Sequence, residues 1–89
     1  MTIYSKAAGG RLAYSVKWPG TADIVRSDWA VTPDEPGGLR IIERRAQDGW
    51  TGATFGGGVP GRLYRIANDV ARSDGQAERR TLTIQLEAR

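Results

Sequence analysis

The sequence predicts an all-β fold, a single sandwich or small barrel of six or seven short strands. Twelve glycines and four prolines among the 89 residues fall between short apolar stretches, and this punctuation is typical of turns that separate strands. Several stretches alternate apolar and polar residues with the period of two that marks a half-buried strand. No stretch longer than about ten residues keeps a helical period without interruption.

The predicted strands follow one another at short intervals, each bounded by a turn signal. The first, Leu12–Trp18, alternates its apolar residues and stops at Pro19. The second, Ile24–Val31, contains an irregularity at Arg26–Asp28 that predicts a bulge. The other predicted strands are Leu39–Arg44, Trp50–Phe55, Arg62–Ala71 and Thr81–Leu86, with Ile3–Ser5 as a seventh if it pairs.

The last two predicted strands form the clearest local structure. Leu82, Ile84 and Leu86 share one face of the final strand, while threonine and glutamine occupy the other. The loop before this strand contains Asp74-Gly75, a pair that favours tight turns because glycine adopts positive φ at little cost. The sequence therefore predicts an antiparallel hairpin at the end of the chain.

The length allows one domain, and that domain is small enough to benefit from contacts with partners or with copies of itself. At this size a chain buries only about 60–65% of the surface that it exposes when unfolded. The sequence has no cysteine, so disulfides cannot add stability. Residues 1–10 are small and poorly patterned, which predicts a flexible N-terminal arm that orders against a partner or stays frayed. Residues 11–89 are predicted to form the β-sandwich domain.

The residue types argue against catalysis. The sequence has no histidine, the side chain that serves most often as general base and metal ligand. The acidic residues lie mostly in predicted turns, and no pair of them stands out. The glycine-rich segment Gly56–Gly61 lacks the lysine of a phosphate-binding loop and leads into a predicted strand, not into a helix. We therefore expect a protein that is not an enzyme and has no catalytic residue, metal site or cofactor.

The aromatic residues divide into an expected core group and one candidate contact. Those at strand positions are expected to pack inside: Tyr14, Trp18, Trp29 and Tyr64. Trp50 follows a predicted turn, where it either closes the end of the sandwich or forms an exposed contact site of the kind that aromatic residues dominate. Arg44 and Arg45 would form the charged rim of such a site or a solvated strand end. The N-terminal arm adds three candidate contact residues: Ile3, Tyr4 and Lys6.

Charge and hydropathy indicate that neither nucleic acid nor membrane is a partner. The net charge of +3 is spread among acidic residues, whereas a nucleic-acid binder usually concentrates positive charge on one face. A small nucleic-acid-binding barrel would also need aromatic residues on an exposed sheet face, and the alternation directs them inward. No apolar run is long enough to cross a bilayer or to act as a signal peptide, so we expect folding in a cytoplasm.

Short motifs between Tyr14 and Leu86 follow the pattern of one phage protein family. They are Tyr14–Trp18, Ile24–Val31, Gly57-Gly58 with Gly61, Tyr64–Asn68, Ser73–Gly75 and Glu78–Ile84. In these motifs the chain resembles small phage and prophage proteins known as fiber–tail adaptors. The resemblance covers nearly the whole chain.

The resemblance implies an immunoglobulin-like β-sandwich of antiparallel strands and a non-enzymatic role in the virion. It implies an adaptor that joins the tail or neck to fibers or other tail components, with copies arranged in a symmetric ring. The expected partners are other virion proteins, such as tail or neck proteins, a portal adaptor or a fiber, and the expected location is the virion after assembly in the host cytoplasm. The alternative is a carbohydrate-binding β-sandwich module, which needs a flat row of exposed aromatic residues or a loop cluster that holds a metal.

Overall fold

The structure, a computed structural model, describes residues 3–88, which form seven strands in two packed sheets. The strands are β1 (Ile3–Lys6), β2 (Leu12–Lys17), β3 (Ile24–Thr32), β4 (Leu39–Gln47), β5 (Trp50–Gly57), β6 (Leu63–Arg72) and β7 (Ala77–Leu86). One sheet has four strands in the order β1-β7-β6-β3, and the other has three in the order β2-β5-β4. The predicted all-β sandwich is confirmed.

One strand pairing corrects the prediction that all strands are antiparallel. β1 runs parallel to β7, with Ile3 opposite Thr83 and Lys6 opposite Leu86, whereas the other pairings are antiparallel. β1 is the seventh strand that the sequence left open, so residues 3–6 of the predicted arm lie in a sheet. Residues 1 and 2 of that arm are outside the described residues. Alternation could not reveal the direction of β1, because the period of two is the same in parallel and antiparallel strands.

The strand order is that of an immunoglobulin-like sandwich. In the three-stranded sheet the order β2-β5-β4 corresponds to strands B, E and D of that fold. In the other sheet β7-β6-β3 corresponds to strands G, F and C. Trp29 on β3 is buried and lies edge-on to Phe55, with ring centroids 5.9 Å apart. Near the start of β6 the Tyr64 hydroxyl accepts a hydrogen bond of 2.9 Å from the Val59 N–H, the arrangement known as a tyrosine corner.

The core lies between the two sheets, where the inward residues of each strand meet. Its buried apolar side chains are Val16, Trp18, Trp29, Leu39, Ala53, Phe55, Tyr64, Ile66, Val70, Leu82, Ile84 and Leu86. The predicted burial of Trp18, Trp29 and Tyr64 is confirmed, while Tyr14 is half-buried at the edge of the core. Within residues 3–88, no helix is long and apolar enough to cross a membrane.

Two hairpins lie at the same end of the sandwich. The predicted C-terminal hairpin is confirmed: β6 and β7 pair without a register shift, and Gly75 has a φ of +89°. The second hairpin joins β4 to β5 through Asp48-Gly49, and Gly49 has a φ of +75°. Because Gln47 pairs with Trp50, β4 continues three residues beyond its predicted end at Arg44. This extension carries the candidate contact residues into a regular strand ladder.

Candidate partner-binding surface

Trp50 lies on the outer face of the three-stranded sheet, the face turned away from the core. Its neighbour Thr51 is buried, as is Ala53, so alternation along β5 directs Trp50 and Gly52 outward. The Trp50 side chain is 40% exposed. The sequence left open whether this ring closes the end of the core or faces solvent. Its position on the outer face shows that it faces solvent.

A buried chain of hydrogen bonds holds the start of β5, and with it the Trp50 backbone, in place. The Trp18 Nε1–H donates to the Thr51 hydroxyl at 2.8 Å, and that hydroxyl donates to Asn68 Oδ1 at 2.6 Å. The Asn68 amide in turn donates to the Ser27 hydroxyl and to the backbone of β3. These hydrogen bonds link the two sheets and hold the Trp50 backbone in a fixed position.

Two cations flank Trp50 from the neighbouring strands. Lys17 on β2 is paired with Trp50, and its Nζ lies 5.9 Å from the ring centroid, within the range of a cation–π contact. On β4, an Arg45 guanidinium nitrogen donates to Glu43 and to the Thr54 hydroxyl, each at 2.9 Å. The Arg45 side chain therefore extends across the sheet toward Thr54, and it lines the same depression as Trp50.

Gly52 provides the space that the Arg45 side chain occupies. A Cβ atom at Gly52 would lie 3.1 Å from the Tyr14 carbonyl oxygen and 3.4 Å from Arg45 Nε. The backbone of Gly52 has no positive φ, so the glycine serves close packing here and not a special conformation. The result is a shallow groove between Trp50 and Arg45, floored by Gly52.

Arg44 completes this groove, which we call the Trp50 groove. It pairs with Ala53, whose side chain points into the core, but the four-stranded sheet does not cover this end of β4 and Arg44 is exposed. No ion pair within residues 3–88 engages Arg44. The groove encloses about 420 Å³ and is lined by Ser15, Arg44, Arg45, Ala46, Gln47, Trp50, Thr51 and Gly52. Three candidate contact residues from the sequence therefore lie together, and Lys17 joins them.

The three candidate residues of the N-terminal arm lie elsewhere. Ile3 is 58% exposed on the outer face of the four-stranded sheet. Tyr4 is half-buried and packs edge-on against Tyr14, with centroids 5.3 Å apart. Lys6 is buried, and its ammonium group donates to the Ala7 and Gly57 carbonyl oxygens at 3.0 and 2.9 Å. Tyr4 and Lys6 thus attach β1 to its own domain, and burial together with the nearby positive charge of Arg40 lowers the pKa of Lys6.

On the outer face of the four-stranded sheet most charged side chains form ion pairs, although Arg65 forms none with the described residues. Arg79 donates twice to Asp69, at 2.6 and 3.0 Å, and Arg26 lies 3.1 Å from Asp28. The hydrogen bonds from Arg79 lower the pKa of Asp69. By contrast, no carboxylate within residues 3–88 forms an ion pair with Lys17, Arg40 or Arg44. Lys17 and Arg40, on the face that carries Trp50, are therefore cations that a partner could pair with.

The exposed aromatic surface is a single ring. Of the six tryptophans and tyrosines, Trp50 alone is exposed, and the others are buried or half-buried. A flat row of aromatic rings, which a carbohydrate-binding module would need, is therefore not formed. One exposed tryptophan with two arginines and a lysine around it has the composition of a protein–protein hot spot.

Fold and surface together define a small immunoglobulin-like domain whose candidate site suits contact with another protein. Residues 6–85 match the family model described as podophage GP4 fiber-tail adaptor protein gp77. The chain belongs to this family of phage fiber-tail adaptors, which confirms the resemblance in its motifs. It is thus a structural, non-enzymatic protein of the phage tail that binds other virion proteins. A comparison with curated proteins finds no match.

Proposed function

We propose that this protein joins the tail or neck of a podophage particle to its fibers, and that copies of it form a symmetric ring around the tail axis. The Trp50 groove is the observation that carries this proposal. It combines an exposed tryptophan with three nearby cations, of which Arg45 is ion-paired within the described part of the chain and Lys17 and Arg44 are not. Aromatic and arginine side chains supply most of the binding energy at protein interfaces. In this proposal Trp50, Arg44 and Arg45 contact the partner protein.

A joining role requires a second contact surface, and the opposite face of the sandwich is available for it. Ile3 and Leu63 are 58% and 51% exposed there, beside a shallow depression of about 390 Å³ that also involves Arg65 and Thr83. Two packed sheets are only about 10 Å apart, so partners on the two outer faces would lie close together through a thin domain. We propose Ile3 as a contact of this second surface.

The size of the domain and the geometry of a tail support the proposed ring. A ring repeats one modest contact many times around a rotational axis, so each interface can be small. An interface of standard size covers about 800 Å² of each partner, and this domain exposes 5544 Å², so a symmetric ring of smaller contacts leaves surface for other virion proteins. The proposed site of action is the tail or neck of the virion, after assembly in the host cytoplasm, with no nucleic-acid or membrane partner.

Deletion of the gene tests the joining role directly. We expect particles without this protein to keep their tails and to lose their fibers, as seen by electron microscopy, and expect the wild-type gene supplied in trans to restore the fibers. Quantitative mass spectrometry of the restored particles should give a constant copy number that is a multiple of the rotational symmetry of the tail. Fibers at normal occupancy on particles without this chain would rule the proposal out.

A further inference from the structure

The two sheets present four edge strands, and these edges differ in their ability to accept another strand. The three-stranded sheet ends at β2 and β4, and the four-stranded sheet ends at β1 and β3. An edge strand leaves alternate backbone N–H and C=O groups unpaired, which allows a segment of another protein to extend the sheet.

Three of the four edges are obstructed. β3 and β4 each contain a register shift, at Ile24–Arg26 and at Ile41–Glu43, and bulges of this kind twist an edge away from a prospective partner strand. These two strands also approach each other along one side of the sandwich. Within residues 3–88, β1 has four residues, too few for an extended ladder.

The edge of β2 has none of these obstructions. Its six residues pair with β5 without a register shift. The side chains that it presents on the outer face beside the free edge are small at Ala13 and Ser15, and both residues are exposed. β2 is an edge because β1 pairs with β7 and not with β2. Because β1 pairs with β7, β2 remains a regular edge strand that is open at the side of the three-stranded sheet.

The register identifies the backbone groups that face outward from β2. The Trp18 N–H donates to the Gly49 carbonyl oxygen at 2.8 Å, one step beyond the Lys17–Trp50 pair. In an antiparallel ladder, residues that exchange hydrogen bonds alternate with residues that do not. Hence Val16 and Tyr14 bond to β5, and the N–H and C=O groups of Ala13, Ser15 and Lys17 point to the free edge.

The charge around this edge selects an acidic partner. β2 and β5 contain no carboxylate, and the nearest one along the chain is Asp48 in the adjoining turn. Arg11 precedes β2 and Lys17 ends it, while Arg45 lies across the outer face. A copy of this chain has no suitable strand to offer, because every carboxylate on a described strand is already ion-paired. These pairs are Arg26–Asp28, Arg45–Glu43, Arg72–Glu78 and Arg79–Asp69.

We propose that β2 accepts, as an added strand, an extended acidic segment of a partner virion protein. The added strand would bond to the outward N–H and C=O groups of Ala13, Ser15 and Lys17 and would place its acidic side chains near Lys17 and the Trp50 groove. The inference rests on the proposed adaptor function and deepens it, because it specifies how the partner is bound and which chemistry the partner presents.

Two substitutions of Ser15 distinguish binding through its backbone N–H from binding through its side-chain hydroxyl. Ser15→Pro removes an outward N–H and leaves the ladder with β5 intact, since proline is tolerated on edge strands where its nitrogen faces solvent. Ser15→Ala is the matched control, because it removes the hydroxyl and keeps the N–H. In particles from a phage that lacks the gene, complemented in trans, we expect Ser15→Pro to reduce the copies per particle about tenfold. Ser15→Ala should be incorporated at about five times the copy number of Ser15→Pro or more.

Hydrogen–deuterium exchange provides a second readout on the wild-type chain that does not depend on a variant. The amides of Ala13, Ser15 and Lys17 should exchange rapidly in the free protein and slowly in the assembled particle. Thermal unfolding of the purified Ser15→Pro protein verifies that it folds. If this variant does not fold, the exchange result alone decides the proposal, because unprotected amides in the particle would contradict strand addition.

Two substitutions of opposite charge at Ala13 test whether the added strand is acidic. Ala13→Glu adds a carboxylate beside the added strand, and Ala13→Lys adds an ammonium group of similar size at the same place. Because like charges on neighbouring strands repel, we expect Ala13→Glu to lower incorporation at least threefold and expect Ala13→Lys to keep or raise it. Equal effects of the two substitutions would overturn the acidic partner.

The outcomes distinguish this inference from the proposed function. If the wild-type chain is absent from purified particles, both are wrong. If it is present, and Ser15→Pro is incorporated normally while the three amides stay unprotected, strand addition is wrong and the adaptor role stands. If the purified protein associates with itself and Ser15→Pro makes it monomeric, β2 binds a second copy, and the acidic partner is overturned.

Discussion

Removal of the Trp50 ring should weaken partner binding far more than it weakens the fold. The side chain is 40% exposed, and a tryptophan presents about 250 Å² in total, so about 100 Å² remains for a partner to cover. At about 25 cal/mol per Å² this area is worth about 2.5 kcal/mol of binding free energy, or about 60-fold in Kd. Within the free protein, Trp50→Ala loses the contact with Lys17 Nζ, worth about 0.5–1 kcal/mol at an exposed site.

The affinity of the purified protein for purified tail and fiber proteins, measured by isothermal titration calorimetry, tests this expectation. Val25→Ala is the matched control, because Val25 is an apolar side chain with 64% exposure that lies away from the groove. We expect Trp50→Ala to weaken binding to one of the two partners about 60-fold and Val25→Ala to leave both unchanged. If Trp50→Ala folds normally and loses less than about threefold toward each partner, the Trp50 groove is not the contact surface.

Three further predictions concern the stability of the fold. Gly58→Ala should destabilise the fold by about 2–4 kcal/mol, because Gly58 has a φ of +106° and an added Cβ would lie 2.7–2.9 Å from three Leu86 side-chain atoms. Gly75→Ala should cost only about 1 kcal/mol, because the positive φ of +89° is its only penalty and no atom lies within 4 Å of the added Cβ. Urea unfolding measures both losses of stability, and equal losses would contradict the packing argument. Thr51→Val should cost about 2 kcal/mol in the same assay, since it leaves a buried indole N–H and a buried amide oxygen unpaired, whereas Thr51→Ser should cost less because it keeps the hydroxyl. Burial raises the pKa of Tyr64, so the stability that the neutral hydroxyl contributes is complete below the unfolded-state pKa of about 10 and is lost as the pH rises through the folded-state pKa. The difference in unfolding free energy between wild type and Tyr64→Phe should therefore narrow above about pH 10. A difference that stays constant with pH would refute this coupling.

Much of the fold could be predicted because local chemistry specifies it. The alternation of Leu82, Ile84 and Leu86 marks a strand wherever that strand packs, and Asp74-Gly75 marks its turn. Asp48-Gly49 is the same signal and predicted the turn before Trp50, whereas only the structure showed that β4 and β5 pair across that turn. The absence of histidine and cysteine and the motifs of the adaptor family likewise required no coordinates.

The composition of the site could be predicted only in part. Trp50, Arg44 and Arg45 lie within seven residues of one another in the sequence, so their proximity follows once the hairpin between them is recognised. Lys17 is more than thirty residues from Trp50, and nothing local indicates that the two are paired across β2 and β5. The interior position of Lys6 was equally hidden, because lysine is almost never buried and its two carbonyl partners are brought together only by folding.

The sequence by itself determined the class of fold, the turns, the inward faces of the strands and the family, because each depends on short-range patterns or on motifs along the chain. Only the tertiary structure decided which strands are neighbours. It paired β1 with β7 in parallel, which buried Lys6 and left the edge of β2 open, and it placed Lys17 beside Trp50. These outcomes depend on which long-range pairings bury the most surface with the fewest unpaired backbone groups, and alternation with a period of two is indifferent to that choice.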